Sequence, residues 1–88
     1  MSGNWISLVD ALVNLYVLLI VVYVFTSWIG MDPWHPARRF LGNLVEPVLN
    51  PLRRYIPPIG GLDFTPLVAI LLIELAGRLL KALLAGGL

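Results

Sequence analysis

Two long apolar stretches, separated by a more polar segment, organise the chain. The first covers residues 11–29, which carry no formal charge and consist mostly of Leu, Val, Ile, Tyr and Phe. At a rise of ~1.5 Å per residue this run forms a helix of about 28 Å, close to the thickness of a bilayer's hydrocarbon core. Trp5 and Trp28 lie near its ends, where indole side chains prefer the membrane interface. We predict a transmembrane helix over about residues 8–29.

A cleavable signal peptide is the other interpretation of this stretch. Signal peptides carry basic residues before the apolar run and a small-residue cleavage site after it. Here no Lys or Arg precedes the run, and no small-residue pattern follows it. The sequence therefore favours a retained helix.

The second apolar stretch covers about residues 66–84 and is also long enough to cross a bilayer. Thr65 is a candidate N-cap, and Pro66 suits the first helical turn because its missing N–H is not needed there. Gly86 and Gly87 end the run. We predict a second transmembrane helix, antiparallel to the first.

The segment between the two stretches, residues 30–65, has apolar positions at helical spacing. These positions are Ala37, Leu41, Leu44, Val45, Val48, Leu52 and Ile56. Because Pro36, Pro47 and Pro51 each break a helix, we expect a bent segment on the membrane, with short interfacial helices beginning near Pro36 and near Pro47. The predicted fold is an all-α membrane protein with one unit over residues 1–88. It is a two-transmembrane-helix hairpin with a basic, proline-rich amphipathic loop.

Composition agrees with a membrane environment. The 88 residues are 59% hydrophobic and 12% charged, with a mean hydropathy of +0.89. So short a chain buries too little surface to form a soluble core of that composition. The chain has no cysteine, which excludes disulfides, thiolate catalysis and iron–sulfur clusters. The net charge of +1 does not supply the dense basic face that nucleic acid requires, so we expect no nucleic-acid partner and no cofactor.

Four arginines lie between the predicted spans. No basic residue precedes the first span, and only Arg78 and Lys81 lie near the far end of the second. Since cytoplasmic loops carry an excess of Lys and Arg, we predict a cytoplasmic loop, with the flipped hairpin as the alternative. Three interpretations of these arginines are open. They serve topology alone, they contact anionic lipid headgroups at about 1 kcal/mol each, or they dock an acidic partner. They are Arg38, Arg39, Arg53 and Arg54.

Glu74 is a carboxylate inside the second predicted span. It lies eight residues past Pro66, about 12 Å into the membrane, where a carboxylate costs ~2.5–3.5 kcal/mol. A pair with Arg78, one turn later, relieves both costs. The alternative is a proton, cation or cofactor site that faces a partner helix.

The first span carries Asp10 and Asn14 at the level that Arg78 and Lys81 reach in an antiparallel hairpin. Lys81 or Arg78 can then bond Asp10 or Asn14 and clasp the two helices. We predict that these intramembrane polar residues serve helix packing.

Other polar residues of the loop have structural interpretations. Glu46 caps the second loop helix, and Asp63 offsets the exposed amides at the start of the second span. His35 is a cap, or a metal or haem ligand when a partner supplies the other ligands. The PPIGG run turns the chain back toward the membrane, and it lacks the spacing and Lys of a phosphate-binding loop.

The run that begins at Glu46, EPVLNPLRRYIPPIGGLDFTPLVAILLIE, resembles the YggT (YlmG) family of membrane proteins. That family is marked by an EP-x-L-x-P-x-R-R segment, then PP-x-GG, then D-x-S/T-P opening a helix. The pair Ser27 and Trp28 and the stretch DPWHPARRFL also match, so the resemblance covers about residues 15–80. The motif residues are Glu46, Pro47, Pro51, Pro57, Pro58, Gly60, Gly61, Asp63, Thr65 and Pro66.

The resemblance implies two spans joined by such a loop, in a bacterial inner (cytoplasmic) membrane or a thylakoid-type membrane. Family members often carry two copies of this unit, whereas this chain has one, which suggests self-association. The family is linked to assembly of photosynthetic cytochrome complexes, to cell division and nucleoid distribution, and to osmotic tolerance.

The residues themselves offer no nucleophile with a base, no carboxylate pair beside a cleft and no ligand cluster, so we expect no enzyme. We predict a non-catalytic integral membrane factor that self-associates or binds a larger membrane complex and aids its assembly or organisation. The alternative is an oligomeric proton or small-ion pathway that uses Glu74. A third hypothesis is a lipid sensor whose arginine loop binds anionic membranes.

Overall fold

The computed structural model describes residues 2–86, which form three helices. Helix α1 covers Ser2–Trp28, α2 covers Pro36–Arg53 and α3 covers Thr65–Leu84. The all-α class predicted from the sequence is confirmed. Gly87, which we expected to help end the second stretch, lies outside the described residues.

Helix α1 ends in a turn that glycine makes possible. Gly30 has φ +74°, a left-handed conformation that costs glycine nothing sterically. Its N–H donates to the carbonyl of Ser27 at 3.2 Å, and the N–H of Met31 donates to the carbonyl of Thr26 at 3.0 Å. These two bonds form a Schellman motif, which closes α1 and directs the chain toward α2.

Among the described helices, α1 alone is long and apolar enough to cross a membrane by length and composition. Within Asn4–Trp28, an 18-residue stretch has a mean hydropathy of 2.4, and 11% of that stretch is buried inside the protein. Helix α3 has 20 residues but carries Glu74, Arg78 and Lys81, so composition alone does not identify it as a span. Both helices expose large apolar side chains, among them Leu8, Leu12, Leu15, Leu18, Leu67, Leu71, Leu75 and Leu79.

Helices α1 and α3 pack side by side in antiparallel order. Ile20 and Ala69 share the buried cluster near the loop, and Gly77 lies against Val13 farther along. A Cβ added to Gly77 would come within 2.9 Å of Val13 Cγ2. The two helices therefore approach closely at this glycine, and a larger residue would fit only after Val13 or a helix shifts.

Helix α2 begins at Pro36, as predicted, and His35 caps it. The Nδ1 atom of His35 accepts a hydrogen bond from the N–H of Ala37 at 3.1 Å. The proline fits the first turn because no intrahelical bond needs its N–H. The capping interpretation of His35 is therefore confirmed.

The predicted break at Pro47 is wrong, because α2 is one continuous helix that contains both Pro47 and Pro51. The two prolines are exposed and form a stripe with Asn43 at four-residue spacing. The rings therefore lie on the side that no other helix covers, where a lost hydrogen bond is least costly. Val45 and Leu49, both fully buried, hold the opposite side of α2 against the protein across both prolines.

The core lies where the three helices meet. It consists of Ile20 from α1, Val45 and Leu49 from α2, and Ala69 from α3. Tyr16, Tyr23, Val48, Leu52 and Ile73 are among the partly buried side chains around it. The predicted amphipathic character of α2 is confirmed, but its apolar face covers the helix pair. This packing places the two flanks of α2 beside α1 and beside the loop that leads into α3.

Candidate functional site

A network of polar side chains forms where the carboxyl end of α2 meets the segment before α3. Arg53 is its centre and donates from both Nη atoms to the carboxylate of Glu46, with Nη2 3.1 Å from Oε1. Arg53 Nη1 also donates to Asn50 Oδ1 at 3.0 Å, and Nε donates to Asp63 Oδ2 at 3.3 Å. The hydroxyl of Tyr23 donates to Glu46 Oε1 at 2.8 Å. We call these five residues the Arg53 cluster.

The Arg53 cluster joins three parts of the fold. Tyr23 belongs to α1, Glu46 and Arg53 belong to α2, and Asp63 precedes α3. The fork of a guanidinium suits this task, because one side chain can serve two carboxylates in fixed geometry. The cluster therefore sets the position of α2 relative to both neighbouring elements.

The charges within the Arg53 cluster support one another. The pKa of Arg53 is raised, mainly by its hydrogen bonds to Glu46, with Asp63 adding to the effect. Partial burial acts to raise the pKa of Asp63, but hydrogen bonds from Thr65 and Arg53 outweigh it and hold that pKa below its usual 3.8. Two carboxylates face one guanidinium, so with both ionised the cluster carries a net charge of −1.

A turn brings Asp63 to the cluster. Gly60 and Gly61 have φ +61° and +82°, and Ile59 and Leu62 pair across them in an isolated antiparallel bridge. Two successive residues that carry a Cβ rarely both adopt the left-handed backbone conformation, so this turn depends on its glycines. The predicted reversal at the PPIGG run, which includes Pro57 and Pro58, is confirmed.

Two capping predictions at this site are wrong. Thr65 is the first residue of α3, while Phe64 is its N-cap and has no side-chain capping bond. Asp63 performs the task, since its Oδ1 accepts from the N–H of Thr65 at 3.0 Å next to Pro66. Glu46 caps nothing, because α2 has no second start there, and its carboxylate binds Arg53 and Tyr23.

The other loop arginines have different surroundings. Arg38 donates to the hydroxyl of Ser27 at 2.8 Å and to the carbonyl of Met31 at 3.0 Å, and it lies 5.9 Å from the centre of the Tyr23 ring. Arg39 is exposed and lies 6.0 Å from the centre of the Trp34 ring. Arg54 is exposed, and the structure gives it no ion pair with a described residue. Arg39 and Arg54 therefore remain accessible to other molecules.

The polar residues predicted inside the helix pair divide into two groups. Lys81 Nζ donates to Asp10 Oδ1 at 2.6 Å and joins α3 to α1, whereas Asn14 is exposed. Three ion pairs join described residues, and neither Glu74 nor Arg78 takes part in any of them. The pair of Glu74 with Arg78 that the spacing suggested is thus not formed in this structure.

An open groove of about 640 Å³ runs beside the cluster, between the second half of α1 and the first half of α3. Its walls are mainly apolar and include Phe25, Leu67 and Ile70, with Arg53 and Asp63 at one edge. The described residues hold no group of His, Cys, Asp or Glu that could bind a metal ion. The groove is therefore an open, mainly apolar concavity with charged side chains at one edge.

The sequence matches one protein family over most of its length. Residues 3–84 match the model of the family described as CCB3/YggT. The chain belongs to the CCB3/YggT family. The resemblance carried by the motif run is therefore confirmed over most of the chain, and the Arg53 cluster is built largely from that run.

Relatives of this CCB3/YggT chain include bacterial and chloroplastic proteins. An uncharacterized protein of Pseudomonas aeruginosa is 35% identical over 74 residues, which cover 84% of this chain and 38% of that protein. The chloroplastic YlmG homolog protein 2 of Arabidopsis thaliana is 39% identical over 62 residues, 69% of this chain and 24% of that protein. The uncharacterized protein ycf19 of Cyanidium caldarium is 32% identical over 78 residues, 83% of this chain and 86% of that protein. No solved structure matches the chain.

The length of this CCB3/YggT chain differs from that of several relatives. It spans 38% of the Pseudomonas aeruginosa protein and 36% of Escherichia coli YggT, but 86% of ycf19. The matched unit is thus found both in much longer proteins and in one of similar size.

Sequence reasoning missed two members of the cluster. Tyr23 lies two turns after Tyr16 on α1, and Asn50 lies three residues before Arg53 on α2. Tyrosines inside an apolar run do signal polar contacts, because a buried hydroxyl needs a partner. Tyr16 follows the same rule and donates to the carbonyl of Leu44 at 2.6 Å. Which partner each tyrosine finds depends on the docking of α2, which local pattern does not reveal.

Proposed function

We propose that the protein is a non-catalytic integral membrane factor that self-associates or binds a larger membrane complex and aids its assembly or organisation. In this proposal α1 and α3 both cross the membrane, and α2 with its flanking loops lies at the cytoplasmic surface. The observation that carries the proposal is the Arg53 cluster, which fixes α2 against the helix pair. A surface element held in one orientation is suited to docking another protein.

The contacts of α3 support its assignment as a second span. Lys81 is paired with Asp10, and an ion pair costs less to bury than two separate charges. The 20 residues of α3 extend over about 30 Å, the thickness of the hydrocarbon core. Its exposed leucines also require an apolar environment.

The exposed arginines support contact with anionic molecules at the surface. Arg39 and Arg54 are accessible, and basic residues near a membrane surface gain about 1 kcal/mol each from anionic lipid. We propose lipid contact as the resting state and docking of an acidic partner as the function. In a bacterial inner or thylakoid-type membrane, the partner would be a larger membrane complex.

The bonding within the Arg53 cluster supports a structural role for its acids and base. Glu46, Arg53 and Asp63 bond to one another and to Tyr23, Asn50 and a backbone N–H. A general acid or base has to reach a substrate atom directly, and these groups are engaged in joining three segments. We therefore propose that the cluster braces the fold.

A photoreactive residue at Tyr55 tests the docking proposal. Tyr55 is 83% exposed and follows Arg54. In intact membranes we expect it to capture a specific larger membrane protein, identified by mass. The same capture in the Arg39→Gln, Arg54→Gln double variant should be strongly reduced.

A photoreactive residue at Leu15, on the exposed apolar side of α1, is the control and should capture mainly lipid. Capture of lipid alone from Tyr55 would refute partner docking and favour the lipid-sensor hypothesis. Equal capture with and without the two arginines would show that charge does not direct the docking.

The second candidate function is an oligomeric proton or small-ion pathway. The observation that favours it is the absence of any ion pair for Glu74 among the described residues. Arg78, on the same side of α3, opposes it by repelling cations. Proteoliposomes with the Glu74→Gln variant separate the two functions: reduced flux in an intact oligomer supports a pathway, and no flux in either protein excludes it.

A further inference from the structure

Helix α3 carries two charged side chains that find no partner within the described chain. Glu74 is half-buried and Arg78 is exposed, and neither belongs to any ion pair that the structure contains among residues 2–86. They lie eight and twelve residues past Pro66, about 12 and 18 Å along the helix. At such depths in a membrane, polar groups normally meet one another.

The two charges belong to one seam along α3, in which Glu74 is half-buried and the other members are exposed. Leu67, Leu71, Glu74 and Arg78 follow each other at spacings of four, three and four residues. This alternation is the pattern by which one helix packs along another in a coiled coil. Leu67 and Leu71 are 54% and 60% exposed, whereas Ala69, on the other side of α3, is buried against the protein.

The seam is complementary to itself. It holds one acid and one base four residues apart, about 6 Å along the helix, which the length of an arginine side chain can bridge. When two copies face each other across a twofold axis parallel to α3, Glu74 of each copy meets Arg78 of the other. Both charges are then paired, and the leucines of the seam pack together.

We propose that the Leu67–Leu71–Glu74–Arg78 seam is the interface of a symmetric dimer of this chain, held by two reciprocal Glu74–Arg78 pairs. This inference rests on the proposed function, since it requires α3 to lie in the membrane, and it defines the surface used for self-association. Asp10 takes no part, because Lys81 already pairs with it inside each copy.

Disulfide cross-linking in membranes tests the geometry directly, because the chain has no cysteine of its own. Leu71→Cys places a single thiol on the seam. Leu72→Cys is a matched control, one residue away at nearly the same depth, 48% exposed but turned by ~100° around the helix. We expect oxidation to give a disulfide-linked dimer with Leu71→Cys and much less with Leu72→Cys. Equal yields at the two positions would overturn the proposal.

Charge reversal then tests the reciprocal pairs in the Leu71→Cys background. Glu74→Arg alone and Arg78→Glu alone each oppose like charges across the axis, so the dimer yield should fall about tenfold or more. Co-expressed, the two single variants should form mixed dimers, distinguished by different tags. Pairing between residues 74 and 78 inside one chain cannot explain such rescue, because each single variant has the same charge at both positions.

Resistance of every variant to alkaline extraction from membranes, with unchanged helical circular dichroism, controls for insertion and folding. Extraction of the wild-type chain would refute the proposed function itself. A chain that stays in the membrane with no Leu71→Cys dimer, or with no mixed dimer, would refute only the seam.

Discussion

The two ends of the α1–α3 pair are held together by different means. At the loop end, the Arg53 cluster joins α1, α2 and the start of α3 through side-chain hydrogen bonds. At the other end, one close helix contact at Gly77 and one ion pair between Lys81 and Asp10 connect the two helices. The charged groups of the Arg53 cluster are paired with one another, whereas Glu74 and Arg78 on α3 belong to no ion pair among the described residues.

Gly77→Val should cause the largest loss of stability, at the end of the helix pair away from the loop. The added side chain begins only 2.9 Å from Val13 Cγ2, so Val13 or the helices must shift, and overpacking of this kind costs about 1–3 kcal/mol. We expect the free energy of unfolding in mixed micelles, measured by denaturant titration with circular dichroism, to fall by about that amount. Ala76→Val, at the exposed neighbouring position, is the control. Similar losses in both variants would argue against a tight contact at Gly77.

Arg53→Gln should break the loop end. It removes the charged hydrogen bonds to Glu46 and Asp63, which in partly exposed sites are worth about 1–2 kcal/mol together. The same titration should show this loss, and proteolysis between α2 and α3 should become faster. Arg54→Gln removes an adjacent arginine that has no such pairs, and it should change neither the free energy of unfolding nor the rate of proteolysis. A larger effect at Arg54 would contradict the assignment of Arg53 as the centre.

Tyr23→Phe isolates the link between α1 and the cluster. It deletes a single hydrogen bond to Glu46, worth about 1 kcal/mol, and keeps the ring that packs beside the core. Tyr55→Phe deletes a hydroxyl on a residue that is 83% exposed and should be neutral in the same unfolding measurement. If both variants are neutral, the cluster does not depend on α1.

The smallest expected effect is a loss of stability at the loop end when the pH is lowered. Because the folded protein holds the pKa of Asp63 below its usual 3.8, the unfolded chain binds a proton first as the pH falls. The contribution of Asp63 to stability is therefore present above pH 3.8 and is lost as the pH falls from there through the folded pKa. Asp63 is partly exposed, so we expect under about 1 kcal/mol. The free energy of unfolding, plotted against pH, should have different slopes for wild type and Asp63→Asn only in this acidic range. Parallel plots there would contradict the prediction.

The helical framework could be predicted from the sequence because it depends on local pattern. Residues 11–28 of the first apolar stretch lie within α1, and a turn with Gly30 in a left-handed conformation ends the helix. The start of α3 was displaced by one residue, because Asp63 supplies the cap that Thr65 was expected to supply. Such end effects depend on which nearby side chain reaches the first amides, and spacing alone does not decide that.

The docking of α2 could not be predicted in the same way. Pro47 and Pro51 are tolerated because they lie on the exposed face of α2, opposite Val45 and Leu49 in the core. Which face of α2 is exposed depends on how it packs against α1 and α3. The partners of Glu46 follow from the same packing, since Tyr23 is 23 residues away in the chain. Long-range pairing of this kind carries no periodic signal.

The two prolines of α2 have one more consequence. Each lacks an N–H, so the carbonyls of Asn43 and Pro47 lose their α-helical donor on the exposed stripe of α2. In hydrocarbon, a carbonyl without a donor costs several kcal/mol, whereas water satisfies it. In a membrane-spanning hairpin, this stripe keeps the outer side of α2 within reach of water. In such a hairpin α2 packs on α1 and α3, so hydration of its outer side would set the depth of the whole molecule in the bilayer.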